Sequence, residues 1–425
     1  MATARLLRRT GFGATGRAVD AAVGQPDYLS AGLNSDPESD PGAKATPLPE
    51  FPVPGPVGKN ATVAARKEYN SGLRDQMHAL SQWWLQRMVS VQQPVHEKLT
   101  LLWHNHFATS AGKVRAAGLM AAQNQKLRAG AVGDFRSLAY SMLTDPAMLR
   151  WLDGQQNTAK AANENLSREF MELFALGHGN GYTESDVREG ARALTGWVIR
   201  DGQSSLAHKR HDAGDKTVLG VTGALDAAGF CDAVLARPES PQYVAQRLWQ
   251  QLASDNPPSA PALSRLVGAY GVGRDLKALT VAILTDPEFL AQPASLVNTP
   301  VEWTVGLVRA LKVPVAQNSQ LIDQTLKTLG QQPFYPPDVG GWPRGRAWLS
   351  TAGAGVRLHA ATVLARTGDV SAVSDAAPAD RIDAAGYLLG IGSWSDQSAA
   401  ALRPLVNRPP ELVAAAANTP ENLTS

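Results

Sequence analysis

Apolar positions recur every three or four residues through most of the chain, the signature of helices that each bury one face. The pattern runs through 62–91, which carries Trp83 and Trp84, and reopens at Pro94 in PVHEKLTLLWHNHF, where a proline suits the first helical turn. It continues through 119–127 and 135–143, returns from Asp226 to Gly330 with short polar or proline links, and resumes again up to Ala417. Residues 1–33 read as short helices around LLRRTGFGATG. There Gly11, Gly13 and Gly16 fit GxGxxG, but an Arg-rich helix stands where a strand should precede it, so they predict a tight turn. Three stretches break the helical pattern. In 34–59 the alternating Pro47, Pro49, Pro52, Pro54 and Pro56 favour an extended strip. After Trp197, VI and TVL pieces around Asp201-Gly202 and Gly214 predict a small β-hairpin or ribbon near 197–220. QQPFYPPDVGGWPRGRAWLS is a loop of proline, glycine and aromatic residues. The expected fold class is mainly α and multi-helical, with that minor ribbon.

The stretch 163–197 sets the most ionisable residues against apolar ones. Asn163 can cap a first helix, and Thr183 with Asp186 forms a capping-box pattern for a second. Gly177, Gly179 and Gly181 suit the stop and turn between them. On a helical projection Leu166, Phe170 and Leu173 share one face, with Glu169 at its edge and Glu172 one step further round. A carboxylate driven toward a core needs an arginine, a proton or a metal.

An internal echo bears on the architecture. DFRSLAYSMLTDPAML, from Asp134, aligns without gaps on DLKALTVAILTDPEFL, from Asp275, and Leu102-Trp103 can be set against Leu248-Trp249. It predicts two diverged helical repeats: an N-terminal half, 1–225, carrying the polar motifs, and a C-terminal half, 226–425, packed against it as one compact unit. His104, Asn105 and His106 follow the first tryptophan, whereas Gln250, Gln251 and Leu252 follow the second.

Composition narrows the function classes. With 40 basic and 38 acidic residues the net charge is +2, which gives no reason to expect nucleic acid as a partner. The single cysteine, Cys231, rules out an intrachain disulfide and reads as a small buried hydrophobe. No apolar run approaches the ~20 residues of a spanning helix, so no transmembrane segment is expected. Arg8 and Arg9 are followed by no apolar signal core, so the sequence as written reads as cytoplasmic.

Four groups of residues carry candidate chemistry. His104 and His106 point apart if their helix continues and point together if the chain extends after Trp103. In the second case an HxH pair joined by Glu169 would hold a divalent metal ion. Glu169 and Glu172, three apart on a helix, are candidate acid and base, against a reading in which Arg168 pairs with Glu164 and Glu172. His211 and Asp212 form a loop pair that could assist; Lys216 and Arg210 beside them could hold an anionic group, and Arg192 on the preceding helix is a further candidate for substrate binding. Trp342 and Arg344, with Trp348 and Arg346, make either a substrate-binding aromatic and basic wall or a rigid plug between the halves.

The strings WHNHFATS, NENLSREFMELFALG, YTESDVREGARALTGW, HDAGDKTVLG and PPDVGGWP occur in this order, after LLRRTGFGATG. Over nearly the whole chain they resemble the large bacterial family known as domain of unknown function 1800. The resemblance implies no activity. It does imply that many similar proteins are exported, and that a sulfatase-like protein encoded nearby is a candidate partner. A cell-envelope or extracellular, glycan-like substrate follows from the same surroundings. His178 stands where similar sequences usually carry another residue. Two functions are expected from the whole: a metal-dependent or acid/base enzyme, or a non-catalytic helical scaffold whose polar motifs fix its helices.

Overall fold

The computed structural model describes residues 2–25, 27–53, 57–58, 60–291 and 296–424. Pro54 and Pro56 of the proline strip lie outside them. The architecture is mainly α-helical, with two separate two-stranded antiparallel sheets. The small β-hairpin expected near 197–220 is present, Trp197–Arg200 pairing with Gln203–Leu206, and a second, separate hairpin pairs Lys216–Val218 with Val221–Gly223. Asp201 and Gly202 both take positive φ, 48° and 78°, as a two-residue turn matched to strand twist requires.

Two apolar cores organise the helices. One draws on Leu99, Leu102, Trp103, Phe135, Phe170, Phe174 and Trp249, the other on Trp84, Leu101, Met120, Trp303, Trp342 and Leu412. The helix Val95–His106 contributes to both, and nearly all of its side chains are buried. Such a helix cannot leave its polar residues to water, so each must find a partner inside. Glu97, 1% exposed, accepts from Arg87 Nε at 2.6 Å, Arg128 Nε at 2.7 Å and Nη2 at 2.8 Å, and Trp84 Nε1 at 2.9 Å. Burial by itself would raise this carboxyl, but Arg128 and Arg87 outweigh it and hold it below the ordinary glutamate range. Lys98, next along, forms a buried ion pair with Glu302. The long helix Val63–Ser90 and the helix Ala117–Gly130 are tied to Val95–His106 through these arginines.

The two echoing segments lie side by side. Asp134 and Asp275 form an antiparallel bridge, with Phe135 N–H donating to Arg274 O and Leu276 N–H to Gly133 O, both at 2.9 Å. Asp134 caps Phe135–Leu143 through Ser137 N–H, and Asp275 caps Leu276–Thr285 through Ala278 N–H, each at 2.8 Å. Further on, Asp145 pairs with Lys126 and Asp286 with Arg265, again both at 2.8 Å.

The N-terminal glycines serve close packing. A Cβ on Gly13 would meet Gly306 Cα at 3.2 Å, and its φ of 78° independently favours glycine. Arg8 reaches across to the far end of the chain, donating to Gly390 O at 2.9 Å and Glu421 O at 3.0 Å. In the loop PPDVGGWPRGRAW, Trp342, 3% exposed, sits in the second core and its backbone N–H donates to Asn105 Oδ1 at 2.7 Å. Gly341 is required there, because a Cβ would lie 2.4 Å from that same oxygen.

Replacing Glu97 with alanine leaves the buried Arg128 without a carboxylate and Arg87 with only the exposed Glu38. The expected cost is about 3–5 kcal/mol, read by chemical denaturation at neutral pH. Because Glu97 is held below its ordinary range, its contribution is present at neutral pH and declines only as pH falls through that depressed value. A wild-type-like denaturation midpoint for Glu97→Ala would contradict the network.

Candidate functional site

The helix Val95–His106 runs through both histidines, so their rings point apart. His104 lies among Trp84, Phe334 and Trp342, with ring centroids 5.4 to 5.5 Å away, and its Nε2 is buried without a hydrogen-bond partner. His106 lies among Trp103, Phe107, Phe135 and Phe174, and its Nε2 bonds Phe174 O at 2.9 Å. Burial pushes both imidazoles down to about 3, which keeps them neutral at ordinary pH. Among the described residues, no three of His, Cys, Asp and Glu are grouped so as to hold a metal ion. His104, His106 and Glu169 are therefore not gathered at one point. The physical reason is the unbroken helix, which separates residues two apart.

The partner that His106 does have explains the middle of the 163–197 stretch. Asn165–Glu169 is α-helical, but Phe170–Ala175 widens into a π-helix, with Leu176 N–H and Gly177 N–H both donating to Met171 O, at 2.9 and 3.2 Å. Widening leaves carbonyls without their usual donors. Phe174 O is taken by His106, and Leu173 O by Tyr243 Oη at 2.7 Å. The turn beyond uses Gly177, Gly179 and Gly181, all at positive φ, and the Thr183–Asp186 capping box opens Glu184–Ala193. Asn163 accepts from Asn165 N–H at 3.0 Å, just ahead of the first helix.

Glu169 is half-buried and forms no hydrogen bond or ion pair with a described residue. Arg168, its neighbour, is already paired with Glu164 at 2.9 Å and Glu184 at 2.7 Å. Burial raises the Glu169 carboxyl above the ordinary glutamate range. Glu172 and Asp338 add to the rise, and Arg168 opposes it. Glu172 is held differently, by His178 Nδ1 at 2.8 Å and, loosely, by Tyr182 Oη at 3.5 Å. Two carboxylates one helical turn apart therefore sit in unlike surroundings. Asp338, from the PPDVGG loop, faces them from an exposed position.

The other candidates are engaged in structure. Asp212 is bound by Arg192 Nε at 2.8 Å, and this pairing holds its carboxyl below the usual range. Arg192 also bonds Glu189 at 2.7 Å. Lys216, 1% exposed, donates to Asp212 O and Gly214 O, and His211 Nδ1 meets Thr195 O at 2.9 Å. The HDAGDK loop is thereby fastened to the helix before it. Arg344 stands at the mouth of a cleft enclosing about 570 Å³, mouth included, and donates to Gln250. Asn105, Lys98, Gln251, Asp255 and Glu302 also line that cleft. Asp255, Tyr243, Arg247 and Glu97 had no direct pointer to them in the sequence. Their neighbours come from distant segments, and only the motif strings around Asn105 and Asp338 could have directed attention there. Cys231 is buried, and burial lifts its thiol to about 12, away from reactivity.

The family model described as "Protein of unknown function (DUF1800)" matches residues 5–423. No curated protein and no solved structure matches the chain. No helix among the described residues is long and apolar enough to cross a membrane.

The buried histidines make a pH prediction. Their folded values lie below the ordinary 6.5, so protonation favours the unfolded chain. Stability is complete above pH ~6.5 and is lost as pH falls from there toward the folded values. His104→Phe, which keeps the aromatic packing, should lose less melting temperature than wild type between pH 7 and pH 5. Equal losses in the two proteins would overturn the assignment of His104 as a neutral core residue.

Proposed function

The chain belongs to the DUF1800 family, and since that family's description carries no activity, we propose from the geometry that it is an acid/base enzyme with Glu169 as its proton donor. One observation carries the reading: Glu169 is half-buried, has no ion-pair partner among the described residues, and feels the charges of Glu172 and Asp338. Such a carboxyl keeps its proton to higher pH than a free glutamate, while Glu172, bonded to His178, stands one helical turn away as its companion. Two unlike carboxyls suit proton transfer to a leaving oxygen, and a hydroxyl-rich, glycan-like substrate of the cell envelope or cell exterior belongs to this proposal. So do export and work beside a sulfatase-like partner.

A second reading, the non-catalytic scaffold, is favoured by the engagement of His104, His106, His211, Asp212, Arg192 and Lys216 within the fold. The division into halves 1–225 and 226–425, descended from one helical unit, is also a proposal. It is supported by the Asp134–Asp275 bridge and the matching caps beside it.

The test is reducing-end release from a panel of cell-wall and capsular polysaccharides. Wild type should cleave at least one, Glu169→Gln should fall by about 10²-fold or more, and Glu172→Gln should shift the alkaline limb of the rate profile downward. Equal release by wild type and Glu169→Gln removes Glu169 from the chemistry. No release from any polymer would favour the scaffold.

A further inference from the structure

The helix Glu239–Leu252 places Tyr243, Arg247, Gln250 and Gln251 on one face, by the three- and four-residue spacing that makes helical neighbours. Tyr243 is occupied by Leu173 O. Arg247 is half-buried, its Nε is buried without an acceptor, and it forms no ion pair with any described residue. Gln251 uses its carbonyl to accept from Asn105 Nδ2 at 3.4 Å, while its own Nε2 is buried and donates to nothing. Arg344, arriving from the loop after Trp342, donates to the neutral Gln250 amide and to no carboxylate among the described residues. Arg247 and Arg344 are near enough for each to oppose the charge of the other. Asp255, the acid on this side, accepts no hydrogen bond from either arginine, and burial raises its carboxyl toward the neutral form. Glu172 faces Tyr243 on the other side and is bonded to His178.

A place built this way has surplus donors and too few acceptors. Buried polar groups in native proteins are nearly always satisfied, so each idle donor calls for a partner from outside the chain. Arginine and an amide NH₂ only donate. Asp255 offsets the charge of Arg344 without bonding it, whereas Arg247 has no ion-pair partner among the described residues, so the pair of guanidinium groups is still short of negative charge. We propose that an oxyanion group of a small ligand binds where the Glu239–Leu252 helix meets the Arg344 loop, at the rim of the cleft that Gln250, Gln251 and Arg344 line, held by Arg344 and Gln251 and by Arg247 one helical turn before them. Forked guanidinium donors match the paired oxygens of phosphate, sulfate or carboxylate, and the acceptor-only character of these groups answers every idle donor at once. The site uses neither Glu169 nor Glu172, so it stands whether or not the acid/base reading does.

The test follows the arginine Nε–Hε resonances of the full chain during titration with inorganic phosphate, sulfate or acetate at fixed ionic strength. The expected result is a saturable shift of Arg247 and Arg344 with at least one of the three. The preferred anion separates a tetrahedral from a planar oxyanion. Arg247→Met and Arg344→Met should each weaken that binding at least tenfold. Arg344 is exposed, so its variant reports on binding even if the Arg247 variant fails to fold. No saturable shift with any of the three anions, or unchanged affinity in Arg344→Met, would overturn the proposal.

Discussion

A carboxylate with almost no access to water has to be answered by cations, and the answer given to Glu97 fixes the centre of this molecule. Arg87 comes from one long helix and Arg128 from another; both donate to Oε1, and Arg128 also donates to Oε2. Glu97 is the acceptor both arginines share, so the three helices are tied in rotation as well as position. With Val95–His106 held in this way, Leu101 and Trp103 face different cores, and the helix has no freedom to turn its histidines toward a common point.

That constraint propagates to the polar stretch 163–197. His106 is delivered to Phe174 O, and Tyr243, from a distant helix, is delivered to Leu173 O. Together they satisfy the carbonyls that the π-helical turn exposes. An unsatisfied buried carbonyl costs roughly 1–3 kcal/mol, so the widened turn depends on these two side chains. The widened turn, in turn, leads directly out of Glu169. The WHNHF and ELFALG strings are thus coupled through a histidine acting as a hydrogen-bond donor to backbone, with its ring kept neutral by burial.

Much of the fold was legible in the sequence because local rules govern it. The helical periods, the Thr183–Asp186 capping box, the glycine turn and the strand pieces after Trp197 all depend on residues close in sequence. The separation of those strands into two hairpins was less legible, since which strand finds which depends on turns as tight as Leu219-Gly220. The site was only half legible. Glu169 stood out as a carboxylate on an apolar edge, and it does lack a cation partner. Its neighbours Glu172 and Asp338 replace the expected histidines, because the continuing helix sends His104 and His106 into separate aromatic clusters. The HDAGDK loop looked chemically rich, yet Arg192 and Thr195 use its side chains to fasten it. Ionisable residues near glycines read alike in sequence whether they hold a ligand or a loop, and only long-range packing distinguishes them.

The central claim is that Glu169 faces other carboxylates and lacks a cation of its own. Titration of its side-chain carboxyl by site-resolved ¹³C NMR addresses this most directly. The account predicts an apparent pKa above the ~4.3 of a free glutamate, moving back toward that value in Glu172→Gln. A value at or below the free one, unchanged by that substitution, would mean that a cation stands beside Glu169 and would contradict the account.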